Sequence, residues 1–151
     1  IFVHPFASKH TKTYPFAKEL AENLLKEGYT PVFAGIGEAP DVDGIIDNTG
    51  HKSIGEMLDI IDSCEACISS DSGPMHAAIA LNKPTVSIFG STTKHFGFYP
   101  SFSNCTVLEN NDLDCRPCDV HGLDKCPNNH FQCMNALKPE HAVRLLSEIL
   151  G

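Results

Sequence analysis

Hydrophobic and polar positions along the chain fall into two alternating rhythms. Short apolar runs at Ile1–His4, Thr30–Ala34, Ala66–Ser69 and Thr85–Phe89 predict strands, the last almost wholly apolar, as in a strand covered on both faces. Gly44–Asp47 reads as a further short strand and Cys105–Leu108 as the last of six. Between them the spacing changes to three and four. Phe16, Leu20 and Leu24 recur behind Pro15, which suits a first helical position, until Gly28 stops the helix. Ser53 with Glu56 has the spacing of a capping box and opens a helix with Ile54, Met57, Leu58 and Ile61 on its apolar face. A third helix runs from Pro74 to about Leu81, and Pro139 opens a last one that turns Ala142, Val143, Leu146, Ile149 and Leu150 to the core.

Strands alternating with helices of this length predict an α/β fold, a Rossmann-like parallel sheet. Its right-handed crossovers place helices on both faces. Ligands of such sheets sit beyond the carboxyl ends of the strands. Three polar loops lie there: Pro5–Tyr14, Asp71–Met75 and Gly90–Lys94.

The middle loop is the most informative segment. Ser70-Asp71-Ser72-Gly73-Pro74-Met75-His76-Ala77-Ala78 carries a strand directly into a helix. The free N–H groups and positive dipole end of that helix make an anion site suited to phosphate. Gly73 admits close approach of a ligand, and Pro74 suits a turn where no N–H is needed. The alternative is an ordinary turn with a good cap. Lys12 supplies a mobile cation for a diphosphate, although a single lysine in a polar loop is commonly just solvated. Ser8, Ser72, Ser91 and Thr92 supply hydroxyl donors. His76 reads equally as a core residue near the cap or as a ligand contact.

Composition narrows the partners. A formal net charge of −8 leaves no basic footprint for nucleic acid. No apolar run approaches the ~20 residues of a membrane span. The chain opens at Ile1, already inside a strand, which predicts a piece of a longer protein whose preceding part is absent. Seven cysteines without a secretory signal favour thiols or metal ligands over a disulfide framework. Four of them, Cys115, Cys118, Cys126 and Cys133, crowd the polar segment 110–134, which lacks apolar periodicity and calls for a staple. A tetrahedral structural zinc site, free thiols and disulfides all remain open, with His121 and His130 as substitute ligands. A catalytic metal is not expected, because four thiolates leave no open position. Cys64 and Cys67 have thioredoxin-like spacing but span a helix end and a strand start, so they read as core. Gly35-Ile36-Gly37 starts like a dinucleotide fingerprint, but Pro40 stands at the third glycine.

The segment Ser70–Ala78, followed by Leu81, Pro84 and Phe89-Gly90, closely resembles the C-terminal domain of glycosyltransferase family 9, the ADP-heptose:lipopolysaccharide heptosyltransferase family. His4-Pro5-Phe6-Ala7 with Lys12-Thr13-Tyr14-Pro15 upstream, and Cys115-Arg116-Pro117-Cys118, Cys126 and Cys133-Met134 downstream, extend the resemblance in the right order over nearly the whole chain. Tyr14 stands where tryptophan is common, and Ser91 where proline is usual.

The resemblance implies the C-terminal half of a GT-B fold, residues 1–151 forming the nucleotide-sugar domain with the acceptor domain elsewhere. Backbone N–H groups of the Gly73–Met75 turn, with Ser72 and His76, would hold the donor diphosphate. Lys12 would stabilise charge on the leaving nucleotide. Asp71 would pin the loop or touch the sugar, and Glu38 is a positional candidate for the ribose. The implied reaction transfers heptose or a similar sugar from an ADP-sugar to a lipopolysaccharide core. It proceeds by inversion without a catalytic metal, and the base comes from the absent domain. The implied location is the cytoplasm, at the inner face of the bacterial inner membrane. Rival readings are a GT-B enzyme or epimerase using a UDP-sugar, and a non-catalytic module stapled by zinc.

Overall fold

A computed structural model describes residues 1–151. Six strands form one sheet: β1 (Phe2–His4), β2 (Val32–Gly35), β3 (Ile46–Thr49), β4 (Cys67–Ser70), β5 (Thr85–Phe89) and β6 (Cys105–Glu109). All neighbours pair in parallel, in the order β3-β2-β1-β4-β5-β6. The order reverses direction between β1 and β4, and the loops that leave those two strands therefore diverge to opposite faces and open a crevice. Both loops are among the three polar ones.

The helices are α1 (Ala17–Lys26), α2 (Ile54–Asp62), α3 (Gly73–Ala80), α4 (Gln132–Asn135) and α5 (Pro139–Leu150). One face of the sheet carries α1 and α5. There Leu20, Leu24, Ala142 and Leu146 close over Val3, Phe33, Ile68, Val86 and Ile88. The opposite face carries α2 and α3, with Ile61 and Ala78 on Phe2, Ala34 and Cys67, and Met75 and Ile79 on Phe89. Successive strand residues point to opposite faces, which is why Phe2 and Val3 enter different clusters. Each large apolar side chain fully buried this way contributes roughly 1.5–3 kcal/mol.

Some boundaries differ from the sequence reading. α1 begins at Ala17, with Phe16 as the capping residue, so Pro15 lies ahead of the helix. β3 lies two residues later than expected, because Gly44 turns at φ +93° and register is set by pairing Val32 with Ile46. Two crossovers, residues 36–45 and 90–104, contain no α-helix.

Between β6 and α4 the cysteine-rich segment has neither strand nor α-helix, yet hydrogen bonds anchor it to the sheet. Arg116 donates to the carbonyl of Thr92 at 2.8 Å and pairs with Glu109 at 2.9 Å. The Cys118 N–H donates to the Ser91 carbonyl at 3.1 Å. Leu113, Phe131, Cys133 and Met134 join the core under α1 and α5. Hydrogen bonds and burial thus tie the segment to the sheet.

Candidate active site

At the crevice, β4 passes through Asp71 and Ser72 into α3. Ser72 occupies the cap position, but its hydroxyl makes no cap hydrogen bond; it donates back to the Ser70 carbonyl at 3.0 Å. Pro74 has no N–H, and the N–H groups of Gly73 and Met75 find no acceptor in the protein. The turn is thus an uncapped helix start, with two free donors and the positive dipole end facing the crevice. The reading as a well-capped ordinary turn is overturned. Met75 gives only its backbone, since its side chain is fully buried.

Lys12 ends a single-turn 3-10 helix, His10–Lys12, in the loop after β1. Its Nζ lies 3.0 Å from Asp71 Oδ2, and both side chains are largely buried. Asp71 also accepts from the Thr92 hydroxyl at 2.7 Å. Lys12 is therefore a held cation rather than a mobile one, and Asp71 pins it to the β5 loop.

A cavity of about 490 Å³ opens over this pair, walled by His4, Phe6, Ser8, Lys12, Ile36, Asp71, Ser72 and Gly73 among others. A second, of about 210 Å³, shares Lys12, Asp71, Ser72 and Gly73 and adds His76, Phe98, Val120 and His121.

The expected residues divide. Ser8, Lys12, Asp71, Ser72, Gly73 and His76 converge on the two cavities. Ser91 and Thr92 do not. Both are buried, and their hydroxyls go to Thr11 at 2.9 Å and to Asp71, so they brace the site from behind instead of facing a ligand. Glu38 is exposed and walls neither cavity; Ile36 of the same loop walls the first.

His4, Phe6, Ile36, Phe98 and Val120 also wall the cavities; the sequence offers His4 and Phe6 only within the family resemblance and gives none of the five a role in the site. His4 is buried and donates from Nδ1–H to the Ala34 carbonyl at 2.8 Å; burial pushes its pKa down, only partly opposed by that bond.

The cysteine-rich segment reaches the same place. Thr11 N–H donates to the Leu123 carbonyl at 3.0 Å, and Leu123 N–H donates to the Thr11 hydroxyl at 2.7 Å. Gly122, at φ +82°, lies against the lysine: a Cβ there would sit 2.9 Å from Lys12 Cγ. Its glycine is required both by the left-handed backbone and by the lysine stem.

All seven cysteines are free thiols. Burial pushes Cys133 up to about 11 and raises Cys118, with the neighbouring cysteines adding to both. Burial also opposes ionisation of Cys126, but the N–H groups of Phe131, Asn128, His130 and Asn129 outweigh it and hold that thiol below its ordinary value. The donor chemistry suits a thiophilic ion. The positions do not enclose one, since no three His, Cys, Asp or Glu side chains gather closely enough to hold a metal.

With this geometry in place, the sequence model described as glycosyltransferase family 9 (heptosyltransferase) matches residues 1–127. The chain belongs to glycosyltransferase family 9. Among its relatives, lipooligosaccharide heptosyltransferase 2 of Haemophilus influenzae is 26% identical over 95% of this family 9 chain and 44% of its own length. The solved Escherichia coli ADP-heptose lipopolysaccharide heptosyltransferase II superposes with a TM-score of 0.77 at 22% identity, covering 99% of this chain and 45% of that one. The dodecameric iron-containing heptosyltransferase TibC, solved with ADP-D-beta-D-heptose, gives 0.77 at 18% identity, with 99% and 44% covered. The family 9 chain thus spans less than half the length of these relatives. Its fold is the partial, C-terminal half of the GT-B architecture. No helix in it is long and apolar enough to cross a membrane.

Proposed function

We propose that this chain is the donor-binding half of an inverting glycosyltransferase that moves a heptose, or a similar sugar, from an ADP-sugar to a lipopolysaccharide core acceptor. One observation carries the reading: an uncapped helix start and a buried lysine face one cavity at the switch point of a doubly wound sheet. A diphosphate satisfies the free N–H groups of Gly73 and Met75 and the Lys12 ammonium together. As the sugar–oxygen bond breaks, negative charge grows on the leaving diphosphate, and these fixed donors stabilise it without reorganising. The base that activates the acceptor comes from outside these residues. The names of the relatives, ADP-heptose transferases acting in lipopolysaccharide assembly, support the choice of sugar nucleotide and acceptor.

No catalytic metal is part of this proposal. A structural ion, zinc or the iron named for TibC, on Cys115, Cys118, Cys126 and Cys133 is a separate proposal, supported by the crowding of four cysteines into one polar segment and by that neighbour's name; the four would have to draw closer than they stand here to enclose it. Elemental analysis of purified protein reads it: one equivalent of either metal supports the site, and none overturns it. We further place the protein in the cytoplasm, peripheral to the inner membrane, where a soluble donor meets a lipid-borne acceptor.

A thermal-shift titration tests the function. Millimolar ADP or ADP-sugar is expected to raise the melting temperature of the wild type more than UDP does, and to raise Lys12→Ala less. A larger shift with UDP favours a UDP-sugar enzyme; no shift with any nucleotide contradicts the donor role and favours a binding module.

A further inference from the structure

The two cavities that meet at the start of α3 differ in chemistry. They share Lys12, Asp71, Ser72 and Gly73, the elements suited to a diphosphate. The larger is bounded by Phe6, Ile36 and the buried His4, a mostly apolar wall that fits a flat base. The smaller, about 210 Å³, is bounded by Phe98, Val120 and the imidazoles of His76 and His121. Neither imidazole has a hydrogen-bond partner within the protein. Asp71, by contrast, already receives Lys12 and Thr92, and the Ser72 hydroxyl is spent on Ser70.

A sugar presents hydroxyls around its rim and C–H groups on its faces. Imidazole nitrogens can donate to or accept from the first, and an aromatic ring covers the second. Phe98 and His121 stand together for both tasks, their rings 6.4 Å apart and tilted by 45°. The loop that presents His121 is fixed on both sides, by the Cys118–Ser91 bond and the reciprocal Thr11–Leu123 pair.

We propose that the smaller cavity seats the sugar of the donor, and that His121, with Phe98, selects that sugar. The cysteine-rich segment is then a specificity wall of the site. The assignment rests on the nucleotide-sugar reading above, and it adds the residues that tell one sugar from another. Because a diphosphate has two ends and the larger cavity matches the base, the sugar is left with the imidazole-lined side.

Isothermal titration of the chain with ADP and with ADP-heptose tests it. Wild type is expected to bind ADP-heptose about tenfold more tightly than ADP. His121→Ala is expected to bring the ratio to within about threefold by weakening ADP-heptose alone, and His121→Gln to recover part of it through its amide. Phe98→Ala should narrow the ratio in the same way. A full preference retained by both alanine variants overturns the proposal, as does an equal loss of both ligands, which would place His121 on the diphosphate. Wild type that binds ADP but prefers ADP-heptose not at all overturns the sugar cavity and leaves the donor site standing. Wild type that binds neither overturns the donor reading itself, and this assignment with it.

Discussion

Two helices of this chain start on a serine, and they use it in opposite ways. At α2 the Ser53 hydroxyl accepts the Glu56 N–H at 3.2 Å, while the Glu56 carboxylate receives the Ser53 N–H at 2.7 Å. Both orphan donors are satisfied, on an exposed surface, and that start serves stability only. At α3 the Ser72 hydroxyl turns back to its own strand, Pro74 removes one donor, and two N–H groups stay free above a buried lysine. The second start forgoes the cap, worth about 1 kcal/mol, and leaves its donors free, as the proposed diphosphate site requires. The difference marks function more clearly than the serine itself, since both starts read as good caps.

Point substitutions test this contrast. The largest effect belongs to Lys12→Ala. It removes the cation facing the free donors and leaves Asp71 buried with only Thr92. ADP affinity should fall about 30-fold, near 2 kcal/mol, in a calorimetric titration, with a lower melting temperature from the unpaired carboxylate. Wild-type affinity in this variant would put the anion elsewhere.

Gly122→Ala should follow. Its Cβ meets the Lys12 stem, and its φ of +82° penalises any side chain. About 1–2 kcal/mol of stability should be lost in urea unfolding, and ADP should bind several-fold more weakly. Unchanged binding would mean that the segment does not position the lysine.

Ser53→Ala should remove about 1 kcal/mol of stability with ADP affinity untouched. Any loss of ADP binding there would erase the distinction between the two helix starts.

The smallest effect separates them by pH. Burial lowers the His4 pKa, so its contribution is present above 6.5, the ordinary histidine value. It is lost as pH falls below 6.5, because the unfolded chain takes the proton first. At α2 the Ser53 hydroxyl and N–H hold the Glu56 carboxyl below its ordinary 4.5, so that contribution survives to pH 4.5 and fades below it. Unfolding of His4→Gln against pH should lose the upper of the two steps and keep the lower.

Much of the fold could be read from the chain because its strands are short apolar runs and its helices carry plain start and stop residues. β3 lies two residues later than its pattern suggests because it is a polar, half-exposed edge strand, Ile46-Asp47-Asn48-Thr49, whose position comes from its partner and not from its own pattern. The strand-to-helix turn at α3 is legible, since backbone geometry follows from Ser-Gly-Pro after a strand. Ser91 and Thr92 read from sequence as ligand donors because a hydroxyl in a loop looks the same whether it faces a ligand or a buried neighbour. Val120 and Phe98 carry no local signal at all. Val120 joins the Lys12 cavity because Gly122 and Leu123 fold a distant segment against Thr11, a contact between residues more than a hundred positions apart, and Phe98 joins it from the loop between β5 and β6.

The proposed diphosphate is held by the open start of α3. Backbone amide resonances followed during ADP titration test it most directly. Gly73 and Met75 are expected to shift strongly and to gain protection from exchange, while Glu56, at the closed start of α2, stays in place. ADP binding that leaves Gly73 and Met75 unmoved would contradict the account.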